Sequence, residues 1–596
     1  MEPKADFLFE ASWEVCNKVG GIYTVVRSKI TPTKDYYGEN YFLVGPYIPE
    51  NAHGEFEQKV PPDYLEGPFS NLKRMGIICH YGLWLVPGTP HTILIDFHSF
   101  FSSKNDIKKE LWEGFGVDSL GTDFNDFDIP IIWSYAVGLM LKEIKEVMPE
   151  KKIVAQFHEW LAGAGLLHLK KNNIKIGTVF TTHATMLGRT LASQDVNIYS
   201  LLDQLKPEEE ARKNGIISKF HMERECAKAT DVFTTVSEIT ALEAEKLLGR
   251  KPDVVLANGL DMDKFATFDE LMIKHRFFKN KIKEFLSYYF FPYYKFDMAE
   301  TQLFFTCARY EFHTKGLDIL IKALAVLNRQ LKEEKSNKTI VTFFWIPGNI
   351  RGIKPEIIKD KTQYFDLKES IEENLSDIRE RILNLIVTDK KITEETLFDE
   401  DVNLIINKKL KTLKKEGTPP LCTHNLFNED QDAILNGFRQ AGLLNKEEDR
   451  VKVIFYPIYL TGADSLLDTA YYESMLGSNL GIFPSYYEPW GYTPFEAAAL
   501  ACPSITTDLA GFGRFIEPKV DPKSPGIIVI NRLNKDEDDI VKELGDKMKW
   551  FVDIPRAERV QNRISAKALA GLADWRILIG NYITAHNMAM DNVLKK

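Results

Sequence analysis

Two consecutive series of short apolar segments, each interleaved with amphipathic stretches, constrain this 596-residue chain more than any other feature. The first series falls at residues 7–9, 41–44, 92–95, 153–156, 177–180, 232–236 and 254–256. The second falls at 303–307, 339–345, 451–455, 480–483, 504–506 and 526–530. Segments this short suit strands buried on both faces, and the periodic stretches at 132–147, 161–169, 316–331 and 494–501 read as helices crossing between them. Strand–helix alternation predicts open parallel α/β sheets, and two series predict two Rossmann-like domains divided near 260–295. Residues 355–415 break the pattern: Ile371, Leu375, Ile378, Ile382 and Leu385 recur at three- and four-residue steps in a charged background. That reads as a projecting amphipathic helix pair, either a surface-packed hairpin or an oligomerisation arm. Residues 268–294 are aromatic and basic and also read as helical.

Composition excludes several classes. Lys plus Arg number 75 against 85 Asp plus Glu, a net charge of −10, which argues against a general nucleic-acid binder or a polybasic membrane protein. The longest nearly uncharged apolar run, 129–141, falls short of the about 20 residues a bilayer needs, and the amino terminus lacks a signal-peptide pattern. Six scattered cysteines form no CxxC pair, so a reducing, cytoplasmic setting is expected, without disulfides or a zinc site. No HExxH, Walker A, GxSxG or DxD string occurs, and no metal or other cofactor is expected.

Three strand-end loops carry candidate chemistry. Lys18, Gly20 and Gly21 stand between the opening strand and a helix, where bare amides favour an anion; a tight βα turn would use the same residues. In the run 485–496, Trp490, Gly491, Tyr492 and Thr493 lead into a helix with Pro494 in its first turn, offering amides to a diphosphate and Tyr492 to a base. Glu488 and Glu496, eight residues apart, can each accept hydrogen bonds from sugar hydroxyls; the alternative is a capped core helix with solvated glutamates. Arg309 and Lys315 lie six apart after a strand, suited to a leaving diphosphate. His158 and His183 each end a strand, facing one cleft or serving the core.

Together, residues 9–29, 156–166, 180–189, 257–261, 308–316 and 483–496 resemble the glycogen synthases of animals and fungi, with FPSYYEPWGYTPFE and FTTHAT the most specific strings. The resemblance runs from residue 6 to about residue 588. It implies two Rossmann-like domains closing on an interdomain cleft, residues 1–265 and 266–574, with 575–596 a final helix crossing back to the first. It implies a retaining transferase, moving glucose from UDP-glucose to the 4-hydroxyl of a non-reducing α-1,4-glucan end, without metal. Residue by residue, Arg309 and Lys315 match the diphosphate cations. Glu488 matches the donor-glucose contact and Glu496 the ribose contact. Tyr492 and Thr493, with Trp490 and Gly491, match nucleotide and phosphate contacts; Lys18, Gly20 and Gly21 match the donor loop. His183 matches the histidine beside the transferred sugar, with His158 and Asn258 in the same cleft.

The resemblance also implies activation by glucose 6-phosphate, for which Arg556, Arg559 and Arg563 share one helix face and His275 and Lys279 match a partner helix. Asn479, Ala557, Ala568, Met272 and Ile273 depart from the family pattern there, and a merely solvated basic face remains open. The insertion matches the family's coiled-coil region and implies a homotetramer; a glycogenin-type primer protein is a further implied partner. With five residues before Asp6 and the end at Lys596, regulation at phosphorylated tails is not expected. A nucleotide-sugar epimerase or an inactive glucan-binding subunit are the competing readings. The second predicts loss of Arg309, Lys315 or Glu488, and all three are present.

Overall fold

A computed structural model describes residues 2–122 and 124–595. Among them, the first sheet runs from edge to edge as Phe56–Gln58, Ile78–Trp84, His91–Asp96, Tyr41–Pro46, Phe7–Ala11, Ile153–His158, Gly177–Thr182, Val232–Thr235 and Val254–Val255. From His91–Asp96 onward the pairs are parallel, while Ile78–Trp84 pairs antiparallel with both its neighbours. The sequence reading missed these first two strands because Ile78–Trp84 (ICHYGLW) is half exposed and has no apolar run. The second sheet is parallel throughout, ordered Val451–Tyr456, Thr339–Trp345, Thr301–Cys307, Leu480–Ile482, Ser504–Thr507 and Ile527–Ile530. Helices cover both faces, as two doubly wound α/β units require.

The stretch 129–141 lies inside the helix Asn125–Val147, buried along most of its length. No helix among the described residues is long and apolar enough to cross a membrane. The helix Trp575–Leu594 buries Trp575, Leu578, Ile579, Tyr582, Ile583 and Met590 and lies against the first sheet: a Cβ at Gly177 would stand 3.1 Å from the Ala589 carbonyl carbon. Each large apolar side chain so buried is worth about 1.5–3 kcal/mol. Where the chain crosses between units, Leu260 and Asp574 form an isolated bridge.

The insertion is more than a pair of helices. It comprises Pro355–Glu373, Leu375–Val387, the short turn Glu394–Leu397 and Glu400–Leu413. Lys409 ties the last to the first, donating to Asp366 Oδ1 at 2.8 Å and Ser370 Oγ at 2.6 Å. Asn374 divides the run of three- and four-residue apolar steps between the first two of these helices.

Candidate active site

The loop 309–316 leaves the strand Thr301–Cys307, and 483–491 leaves its neighbour Leu480–Ile482, so both emerge at the carboxyl edge of the second sheet. Their approach depends on Gly316: its φ of +67° is left-handed, and a Cβ there would sit 1.9 Å from the Pro484 carbonyl oxygen. This contact brings Lys315 Nζ to 2.7 Å from Glu488 Oε2, with the two side chains 13% and 25% exposed. Arg309 is 78% exposed by comparison and paired with Glu311 at 3.0 Å.

Beyond Glu488 the chain turns through Gly491 (φ +103°) into the helix Tyr492–Ala499. Gly511 N and Phe512 N hold the turn by donating to the carbonyls of Glu488 and Trp490, at 3.0 and 2.7 Å. No side chain caps this helix start, so the amides beside Tyr492 and Thr493 stay available to an anion. Trp490 requires a correction: it is 4% exposed, with its ring between Phe512 and Phe515, because the turn points it into the core. Its part is to anchor the loop, not to touch a donor. Tyr492 lies parallel to Phe495, its hydroxyl donating to Gly259 O at 3.4 Å.

Glu496 accepts from Tyr471 Oη at 3.1 Å and Tyr472 Oη at 2.7 Å, and burial raises its pKa against these two donors. It lines a cavity of about 570 Å³ with Arg27, Leu260, Phe265, Phe278 and Tyr472. That volume and its aromatic, cationic and carboxylate lining suit a nucleoside. The two tyrosines escaped the sequence reading; their adjacency in an AYYES string was the available signal.

In the first unit, Lys18 and Val19 are exposed. The helix start beside them is already partly occupied: Glu14 Oε2 accepts from Gly20 N at 2.7 Å and Tyr23 N at 2.9 Å. The glycine loop is thus held from inside by a carboxylate, and Gly21 keeps open space around its Cα. His158 ends its strand and His183 follows the next; their rings meet, His158 Nδ1 to His183 Nε2, at 2.9 Å. Glu159, also missed from sequence, adopts φ +64° and accepts from His183 N at 2.8 Å, fixing that backbone. Asn258 is 3% exposed, its Oδ1 buried without a partner among the described residues.

The two units touch at the cleft. Thr314 Oγ1 donates to Ala192 O at 3.2 Å, Tyr486 Oη to Val196 O at 2.8 Å, and Tyr487 Oη to Glu243 Oε1 at 3.0 Å. Glu243 is fully buried and also receives hydrogen bonds from Thr185 and Tyr199; burial pushes its pKa up to about 7 despite these donors. A raised carboxyl pKa means the folded state binds the proton more tightly than the unfolded one. Its stabilisation is complete below the unfolded value near 4.5 and is lost as pH rises through about 7, on the order of 3 kcal/mol in all. Glu243→Gln should therefore raise the melting temperature relative to the parent more at pH 8 than at pH 5. An equal effect at both pH values would remove Glu243 from this interdomain contact's pH response.

The remaining predicted residues form a separate cluster. His275 Nδ1 donates to Leu476 O at 2.6 Å, and burial pushes its pKa down to about 2. Lys279 is pushed down to about 7, by burial first and then by Lys283, Arg563, Arg559 and Arg556. Arg563 needs a correction: 5% exposed, it spends donors on Ser478 O at 2.6 Å and Ala501 O at 3.1 Å, so it is a structural anchor behind the cluster. Arg556 is exposed and Arg559 partly so. Among the described residues no group of His, Cys, Asp and Glu is arranged to hold a metal ion.

Two Rossmann-like units with paired strand-end loops across a cleft define the architecture of GT-B glycosyltransferases. The catalytic domain of starch synthase IV from Arabidopsis thaliana shares this fold over 100% of both chains, with TM-score 0.51 at 13% identity. Residues 10–596 match the family model for glycogen synthase. Glycogen [starch] synthases of mouse liver and of Neurospora crassa are each 37% identical, over 98% and 99% of this chain and 83% and 84% of theirs; that of Dictyostelium discoideum is 38% identical over 98% of this chain and 66% of its own. The chain belongs to the glycogen synthase family.

Proposed function

We propose that the protein transfers glucose from UDP-glucose to the 4-hydroxyl at the non-reducing end of an α-1,4-glucan, with retention of configuration. The observation that carries this reading is the Lys315–Glu488 pair, 2.7 Å apart beside an uncapped helix start. Without a donor, each ion is the other's partner. A bound diphosphate draws Lys315 and Arg309 to its oxygens and takes the amides of Gly491, Tyr492 and Thr493, releasing Glu488 to accept hydrogen bonds from glucose hydroxyls. Charge that grows on departing UDP then meets cations and oriented amides already in place. Tyr472 and Glu496 would flank the base and ribose. The acceptor attacks from the face the leaving group vacates, with the substrates held in reacting orientation by closure of the two units. A cytoplasmic setting fits the six unpaired cysteines. The test is UDP release from UDP-glucose with and without glycogen; release indifferent to glycogen would refute the transferase.

The cluster of Lys279, Arg556 and Arg559 supports activation by glucose 6-phosphate, because cations that depress one another's ionisation favour a dianion between them. Leu383, Ile386, Val387 and Leu404 are 62%, 63%, 76% and 70% exposed along the insertion, which supports self-association to a homotetramer through these helices. Changing Leu383 and Ile386 to Asp should reduce the sedimenting mass while keeping the melting temperature within about 2 °C; unchanged mass would place the interface elsewhere. A primer protein of the glycogenin type is the further partner this function calls for.

A further inference from the structure

Beneath the cleft lies a buried chain of ionic and imidazole groups that the transfer reaction described above does not use. Glu10, in the central strand Phe7–Ala11, is wholly buried. Its Oε2 accepts from Lys29 Nζ at 2.5 Å and from Tyr41 Oη at 2.6 Å, and its Oε1 meets His158 Nε2 at 2.6 Å. Lys29 is 1% exposed, its ammonium also 5.0 Å from the centre of the Tyr582 ring on the last helix. His158 then meets His183 at 2.9 Å. His183 Nδ1 has no protein partner among the described residues.

We propose that Glu10, Lys29 and His158 are positioning residues that decide which nitrogen of His183 carries its proton. The argument is one of donor and acceptor bookkeeping along the chain. The Glu10 carboxylate can only accept, so His158 Nε2 carries hydrogen. Lys29 and Glu10 already neutralise each other, and a protonated His158 would add an unbalanced buried charge. His158 is therefore neutral, and its Nδ1 is an acceptor. His183 must then donate from Nε2, which leaves its Nδ1 bare. Burial above all, with the Arg189 guanidinium nearby, holds His183 well below the usual imidazole range and keeps it neutral, in agreement. A neutral His183 with a bare Nδ1 accepts a hydrogen bond from a sugar hydroxyl; the opposite tautomer repels that hydrogen. This deepens the transferase reading and rests on it for its rate measurements, while the protonation pattern is measurable without it.

Glu10→Gln makes the test because it is nearly isosteric. Lys29 and Tyr41 both need an acceptor, so the new amide turns its oxygen to them and its NH₂ to His158. Every proton along the chain then shifts to the other nitrogen, and His183 becomes Nδ1–H. Where an imidazole is itself the general base, a wrong tautomer costs about 10⁴ in rate. For a histidine that orients a sugar, the expected loss is about 10- to 100-fold in kcat, with KM for UDP-glucose within about threefold. Adding Lys29→Met leaves the amide facing Tyr41 alone, whose hydroxyl can accept from the NH₂ as well as donate. The oxygen is then free to turn back to His158, and the double variant should recover at least about fivefold over Glu10→Gln alone. Tyr41→Phe removes a Glu10 donor without moving any imidazole proton, and its kcat should stay within about threefold of the parent.

Solid-state ¹⁵N NMR of histidine-labelled enzyme, with His183 assigned by its loss in His183→Asn, should show a protonated Nε2 and a bare Nδ1 in the parent and the reverse in Glu10→Gln. A bare Nε2 in the parent overturns the proposal whether or not any variant folds or any transferase activity is found. So does a folded Glu10→Gln enzyme with kcat within threefold of the parent, or one that is slowed with its His183 signals unmoved. A double variant slower than Glu10→Gln does the same, because a purely structural role predicts that order. If the parent shows the expected nitrogens but no glycogen-dependent UDP release, it is the transferase reading that fails.

Discussion

Glu488→Gln should leave the melting temperature within a few degrees of the parent and lower turnover with UDP-glucose by two to three orders of magnitude. Glu488 and Lys315 are 25% and 13% exposed, and glutamine keeps the shape of the side chain and an acceptor for the Lys315 ammonium, so folding loses little. Turnover has much at stake. In the proposed mechanism the carboxylate serves two states in succession, holding Lys315 while the cleft is empty and accepting from sugar hydroxyls once the diphosphate has claimed that lysine. Glutamine keeps the shape and one acceptor but loses the charge that favours a positive sugar centre. The loss should fall on kcat more than on KM, since that charge develops in the transition state. Turnover within threefold of the parent would exclude Glu488 from the chemistry.

Arg559→Ala combined with Lys279→Ala should bring the ratio of activity with and without glucose 6-phosphate to one. Burial first, and then its crowded cations, push Lys279 down to about 7, and a phosphate dianion would restore its proton. The apparent affinity in the parent should accordingly weaken as pH rises from about 7 to about 8.5, because the free site then sheds the Lys279 proton that the occupied site keeps. Arg563→Ala is a different experiment. It removes two charge-assisted hydrogen bonds to the carbonyls of Ser478 and Ala501 and leaves a cavity, so it should cost about 2–4 kcal/mol of stability. Full stimulation in the double variant would move the effector elsewhere.

The strand–helix alternation was enough to place the parallel strands of both sheets, because strands buried on two faces are continuous apolar runs that stand out locally. The antiparallel pair Phe56–Gln58 and Ile78–Trp84 left no such trace, since half of each strand faces water. In the insertion, the same three- and four-residue apolar steps continue across Asn374, so periodicity gives helices there without locating the break between them.

At the site, Lys315, Glu488 and His183 were legible as polar groups ending apolar strands. What they touch was not. Trp490 and Arg563 looked like ligands by residue type, and it took the packing of Phe512 and Phe515 and the carbonyls of Ser478 and Ala501 to make them anchors. Glu10, Lys29, Glu159 and Glu243 gave no signal at all, because each sits in or beside ordinary apolar or helical surroundings and finds its partners from 19 to 244 positions away. Local pattern determined the elements of this protein and the loops that carry its charges. Only the tertiary structure decided which charges neutralise one another, because in a low-dielectric interior a buried ion is defined by the partner that the fold brings to it.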